Sequence, residues 1–250
     1  MRYSACIEML FKDIPEFPDR IRAAKAAGLD AVEFWRSSNK DLDAVKAALD
    51  ETGLPLAGIM CEPIAKLGDK EMHGWFLEGV RTSLAAALKL GAPVMIAQAG
   101  DNSASIARSQ QHASIVAVLG EAATILEGSG VVLALEPLND RVDHPGYYLT
   151  STIEGLDIID EVGRPEIRLL YDIYHAAVMG EEIELLEGRL DRVVHAHLAD
   201  TPGRGEPGSG QMDYANRLRW LVSNGYDGLI GLEYRPTGDT VASLGFRDKL

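Results

Sequence analysis

The sequence predicts a single (β/α)8 TIM barrel of the α/β class, and three observations carry that prediction. The chain has 250 residues, the size usual for one eight-unit barrel. Short runs rich in Val, Ile and Leu alternate with longer segments rich in Ala, Leu, Lys and Glu along its whole length. No Pro- or Gly-rich tract divides it, so one domain over residues 1–250 is expected.

The apolar runs are Tyr3 to Met9, Ala31 to Phe34, Leu56 to Met60, Pro93 to Ala97, Val131 to Leu135, Ile167 to Tyr171, Val193 to Leu198 and Leu229 to Leu232. Each has the length and continuity of a parallel strand buried on both faces. Between them Pro18 to Ala27, Leu42 to Asp50, Gly74 to Leu90 and Ala113 to Leu126 carry apolar residues at helical spacing. Gly28, Gly53, Gly91 and Gly163 follow helical patterns where a left-handed cap is expected, and each leads into a strand within a few residues. An open doubly wound sheet has a similar pattern but normally carries a Gly-rich nucleotide loop after its first strand. Phe11-Lys12-Asp13-Ile14-Pro15, which follows here, has no glycine.

In such a barrel the chemistry lies where strands end and βα loops begin. Strand five ends in Leu135-Glu136-Pro137-Leu138-Asn139, strand six in Tyr171-Asp172-Ile173-Tyr174-His175, strand seven in His195-Ala196-His197-Leu198-Ala199-Asp200 and strand eight in Leu232-Glu233-Tyr234. Glu136, Asp172, His197 and Glu233 thus come from consecutive strands and can converge on one point. Any one of them alone is better explained as a polar cap paired with Arg or Lys. Together they place three carboxylates in one dry cavity, a repulsion of several kcal/mol in order-of-magnitude terms that a bound dication removes. Oxygen ligands with one imidazole suit Mn²⁺ or Mg²⁺, with Co²⁺ also compatible, better than a structural zinc.

His175, three residues after Asp172, is expected to face the same cavity and donate to a substrate oxygen. His195 points the same way along its strand as His197 and is left as a layer residue or a group behind the ligands. The loop Pro202 to Gly210 has the glycine spacing of a dinucleotide fingerprint, but it encloses Glu206 and Pro207 and opens no helix directly. A loop that covers the substrate and carries Arg204 inward is the more economical reading, because a guanidinium fork matches a carboxylate. Trp35, at the end of strand two, and Glu206 complete the expected substrate-binding set with His175 and Arg204.

The formal net charge of −14 disfavours nucleic acid and anionic membrane surfaces as partners. The opening MRYSACIEMLF has neither the cationic segment nor the long apolar stretch of a secretion signal, so a cytoplasmic location is expected. Cys6 and Cys61 fall in segments read as strands, where small buried thiols are expected rather than a disulfide or metal site. The expected partner is a small-molecule substrate, and assembly into a homo-oligomer is left open.

At these residues the chain resembles the hydroxypyruvate isomerase family, within the xylose isomerase-like barrels that also include ketose 3-epimerases and endonuclease IV. The likeness runs from Tyr3-Ser4-Ala5 and Met9-Leu10-Phe11 through Val32-Glu33-Phe34, Glu136-Pro137-Leu138-Asn139 and Pro145-Gly146-Tyr147-Tyr148-Leu149-Thr150. It is strongest in Tyr171-Asp172-Ile173-Tyr174-His175, in Ala199-Asp200 with Arg204-Gly205-Glu206-Pro207-Gly208, and in Gly231-Leu232-Glu233-Tyr234. The resemblance implies a metal held by Glu136, Asp172, His197 and Glu233, with Glu136 and Glu233 also acting as acid and base. Isomerase relatives carry glutamine at the His197 position and epimerases carry histidine there. The segments Trp35-Arg36-Ser37-Ser38 and Cys61-Glu62-Pro63 also depart from the isomerase pattern.

The activity implied is proton transfer between adjacent carbons of an α-hydroxycarbonyl compound through an enediolate, with hydroxypyruvate converted to tartronate semialdehyde. A ketose 3-epimerase acting on a free sugar is the alternative. An endonuclease-like or non-catalytic barrel ranks below both, because the acidic charge balance opposes a nucleic-acid face.

Overall fold

The computed structural model describes residues 1–249 and shows eight parallel strands closed into a barrel in chain order, with β8 hydrogen-bonded back to β1. The strands are β1 (Arg2–Cys6), β2 (Ala31–Phe34), β3 (Leu56–Met60), β4 (Val94–Gln98), β5 (Val132–Glu136), β6 (Ile167–Asp172), β7 (Val193–Leu198) and β8 (Leu229–Leu232). Around them run α1 (Phe17–Ala26), α2 (Leu42–Thr52), α3 (His73–Leu90), α4 (Arg108–Leu126), α5 (Thr152–Val162), α6 (Ile173–Met179), α7 (Tyr214–Ser223) and the short α8 (Thr240–Ser243). No helix among the described residues is long and apolar enough to cross a membrane.

The expected strands are all present, and their ends differ from the hydrophobic pattern for a physical reason. β4, β5 and β6 each continue one residue further, through Gln98, Glu136 and Asp172, because a parallel strand keeps its ladder after its side chains turn polar. The apolar run after Tyr3 promised strand as far as Met9, yet β1 ends at Cys6, whose carbonyl accepts from the amides of Met9 and Leu10 at 3.0 and 2.9 Å. Ile7, Leu10 and Phe11 are apolar because that turn is itself buried. α4 begins at Arg108 rather than Ala113, its polar first turn having masked the start. Gly53, Gly91 and Gly163 cap α2, α3 and α5 in the left-handed conformation, while Gly28 lies one residue past the cap of α1.

Most of the buried apolar side chains form one continuous layer between strands and helices. A separate small cluster of Met60, Val94, Ile96, Ala134 and Leu170, with Trp35 packed on it, involves β3 to β6. Met60, Ile96 and Trp35 also line the cavity at the C-terminal strand ends, so this cluster is the apolar support on which the polar site rests. Cys6 and Cys61 are buried free thiols.

Candidate active site and metal centre

Strand register brings the four predicted ligands together. Asp172 ends β6 directly across from His197 on β7, His197 lies across from Gly231 on β8, and Glu136 closes β5 beside Gln98. Glu233 follows β8 immediately, its amide donating to the carbonyl of Leu198 at 3.2 Å. One ligand atom from each of Glu136, Asp172, His197 and Glu233 falls within 4.8 Å of the others, and all four residues are buried. His197 Nδ1 is 3.4 Å from Glu136 Oε1, 3.5 Å from Glu233 Oε2 and 3.9 Å from Asp172 Oδ2.

Each carboxylate is oriented by a different device. Asp172 divides its oxygens: Oδ1 accepts from the amides of Tyr174 and His175 at 2.7 and 3.0 Å, capping α6, which leaves Oδ2 toward the cluster. Glu233 accepts from Trp35 Nε1 at 2.7 Å on Oε1 and from Arg204 Nη2 at 2.5 Å on Oε2. Burial opposes its charge, but His197 and Arg204 hold its carboxyl well below the usual range. Burial pushes the Asp172 carboxyl up, against the pull of His197 and Arg204. His197 lies well above an ordinary histidine, since Glu33, Glu233 and Glu136 outweigh the desolvation that would lower it.

These residues fit a divalent cation on the structure's own terms. Both ring nitrogens of His197 are buried without a hydrogen-bond partner among the described residues, and the nitrogen that carries the lone pair of the neutral ring is costly to leave so unless a cation takes it. Three carboxylates and one imidazole at this spacing supply the donor set and the charge that a dication requires.

His175 is placed as expected, on the first turn of α6 and facing the same cavity. Its Nδ1 accepts from the backbone amide of Asn139 at 3.1 Å, so the neutral ring carries its proton on Nε2. That Nε2 is buried and unpartnered. Burial lowers the ring to about 4, so it is neutral at ordinary pH and remains a donor.

Arg204 does reach inward, in a left-handed conformation (φ 54°) on a loop fixed by the buried Asp200. Asp200 accepts from the amides of Gly208 at 2.7 Å and Met212 at 3.1 Å and bridges Gly205, so the loop is an ordered cover. The guanidinium lies over the Tyr174 ring and 3.8 Å from Asp143 Oδ1, in addition to its pair with Glu233. Trp35 also joins the site, through Glu233. Glu206 does not: its carboxylate accepts from the Thr237 hydroxyl and amide at 2.5 and 2.9 Å and ties the Arg204 loop to the segment after β8, outside the cavity. Its side chain is consumed by loop-to-loop hydrogen bonds, which residue type and position in the motif do not reveal.

The cavity above the cluster encloses about 460 Å³, enough for a small organic molecule. Arg36 and Arg235 line it as exposed guanidiniums with no ion-pair partner among the described residues, and neither was singled out from the sequence. Asp143 was also missed; it accepts from Asn139 Nδ2 and the Tyr174 hydroxyl, both at 2.7 Å. Glu33 was seen only as part of a motif, although a carboxylate inside an otherwise apolar strand was the available signal.

The match to a model described as xylose isomerase-like TIM barrel covers residues 21–250. The hydroxypyruvate isomerase of Escherichia coli is 32% identical over 99% of this chain and 98% of its own length. A 2-oxo-tetronate isomerase of Cupriavidus necator is 31% identical over 98% of this chain and 96% of its own. Among solved structures, a Brucella melitensis protein called AP endonuclease, family 2, superposes with a TM-score of 0.93 at 27% identity, covering 99% of this chain and 98% of that one. With the barrel closed and its polar strand ends gathered as described, the chain belongs to the hydroxypyruvate isomerase family of xylose isomerase-like TIM barrels.

Proposed function

We propose that the protein is a metal-dependent isomerase of a small hydroxy-keto acid, with hydroxypyruvate, converted to tartronate semialdehyde, as the first candidate. The observation that carries this reading is the convergence of Glu136, Asp172, His197 and Glu233 within 4.8 Å beneath a cavity of about 460 Å³. The names of the E. coli and C. necator relatives support the same substrate class. A divalent cation held by these four residues, Mn²⁺ or Mg²⁺ by donor type, supplies the positive charge that makes the carbon-bound proton acidic enough to move.

The chain's own residues do the rest. Glu136 and Glu233 project from β5 and from the end of β8, so they approach a bound substrate from different sides. One takes the proton from carbon three and the other delivers a proton to carbon two, while the hydroxyl proton passes from the oxygen on carbon three to that on carbon two. Glu136 accepts no hydrogen bond at its carboxylate from the described residues, which makes it the readier base; His197 Nδ1 lies 3.4 Å from its Oε1. His175 Nε2–H steadies the substrate oxygen that gains charge. Arg204, and Arg36 and Arg235 at the mouth, present positive charge to the carboxylate. The two buried free thiols suit the reducing cytoplasm in which we place the enzyme.

His197 favours one second reading, ketose 3-epimerase, because the resemblance gives histidine at that position to the epimerases. Turnover of hydroxypyruvate measured beside a panel of free ketoses separates the two. The acid isomerase reading requires the higher kcat/KM on hydroxypyruvate or a related hydroxy-keto acid, and preference for a free ketose overturns it.

A further inference from the structure

Beneath the cavity floor lies a second polar group that the reaction does not use. Glu33 is the one charged residue of β2, between Val32 and Phe34, and it is 2% exposed. Neither Glu33 nor His195 lines the cavity. A carboxylate in such a place is strongly disfavoured unless it is paired. Its Oε2 is 2.7 Å from His195 Nε2 and 3.6 Å from His197 Nε2, while Oε1 has no partner among the described residues.

Gly231 marks this meeting point as built. Its backbone is not in the left-handed region, so conformation does not call for glycine. A Cβ there would stand 2.3 Å from Glu33 Oε1, 2.6 Å from His197 Cδ2 and 2.9 Å from His195 Nε2. β8 therefore omits a side chain where the three groups gather.

We propose that Glu33 is the positioning residue for the metal ligand His197: its carboxylate, with Oε2 at 3.6 Å from Nε2, favours by charge the tautomer protonated on that nitrogen, which leaves the Nδ1 lone pair directed at the cation site. The inference rests on the metal-centre reading above. A carboxylate can only accept, so the nitrogen facing it carries the proton. The other tautomer would put a proton at the ligand position and a lone pair against Glu33. His195, donating to the same Oε2, fixes the carboxylate. Hydrogen-bonded acceptors behind ligating histidines set tautomer, ring orientation and ligand basicity in this way.

The test is metal binding and histidine tautomer, neither of which needs a substrate. Mn²⁺ affinity is measured by competition with a chromophoric chelator for wild type and Glu33→Gln, with circular dichroism on both. Dissociation constants about 10- to 100-fold weaker in the variant, with the fold retained, are expected. Long-range ¹H–¹⁵N spectra of the Zn²⁺-loaded wild type, labelled at histidine, should show the proton of His197 on Nε2 and the metal on Nδ1. This measurement stands even where the variant fails to fold. Unchanged affinity in a folded Glu33→Gln, or His197 ligating through Nε2, overturns the proposal while leaving the isomerase reading intact. Two cations bound per chain, one held by Glu33 and His195, would overturn it as well. A wild type that takes up no cation removes the metal reading and this proposal together.

Discussion

Replacing Arg204 by alanine separates the two roles proposed for one guanidinium. The side chain is 12% exposed and pairs with a Glu233 side chain that is 8% exposed, so solvent screens the interaction little. One effect of Arg204→Ala is general: Glu233 loses one of its two donors, keeps Trp35, and is less firmly oriented for every substrate. The other is specific: an acid substrate also loses a cation facing its carboxylate. A desolvated charge-assisted pair contributes about 2–4 kcal/mol to transition-state binding. That converts to a fall of about 30- to 1000-fold in kcat/KM on hydroxypyruvate. A neutral ketose should lose less, by about tenfold or more. The assay is kcat/KM on both substrates at verified metal content, with a thermal melt to confirm folding. Equal losses on the two substrates would refute carboxylate recognition and leave Arg204 as a prop for Glu233 alone.

Chelation by EDTA should abolish turnover while far-UV circular dichroism at 25 °C is preserved, because the apolar layer between strands and helices does not depend on the strand-end cluster. Full activity in verified metal-free protein would contradict this. Gly231→Ala should overpack the Glu33–His195–His197 junction at a cost of about 1–3 kcal/mol, lowering Tm by about 2–12 °C for a chain of this size; an unchanged melt would show that the junction yields without strain.

The barrel was legible because its parallel strands are buried on both faces and therefore appear as continuous apolar runs, and because left-handed glycine caps mark several helix ends. Strand ends were less legible for a related reason. Gln98, Glu136 and Asp172 remain in their ladders after the hydrophobic signal has stopped, so the polar strand ends at or beneath the cavity lie where the pattern is silent. The convergence of Glu136, Asp172, His197 and Glu233 was nonetheless foreseeable, since polar residues at four successive strand ends leave few arrangements in a closed ring. Pairings across the barrel could not be read. Trp35 and Glu233 are 198 residues apart and Glu33 and His195 are 162 apart, so nothing local couples them. Loop side chains were hardest: Arg204 and Glu206 share one motif, yet one points into the cavity and the other ties down Thr237. A two-residue difference in a tightly turned loop decides this, and it depends on contacts with the segment after β8.

The measurement that bears most directly on the central claim follows exchange of the substrate's carbon-bound hydrogen in deuterated solvent, using wild type, Glu136→Gln and Glu233→Gln. Each protein is supplied with excess Mn²⁺ and its metal content is verified. Glutamine keeps an oxygen ligand, so occupancy need not be lost, but it cannot relay a proton. Wild type should show solvent exchange or internal transfer, and each metal-loaded variant should be slower by roughly 100-fold or more, as expected for a missing general acid or base. Near-normal turnover in both metal-loaded variants would contradict the two-glutamate account and assign the proton transfer to another group in the cavity, with His175 the first to examine.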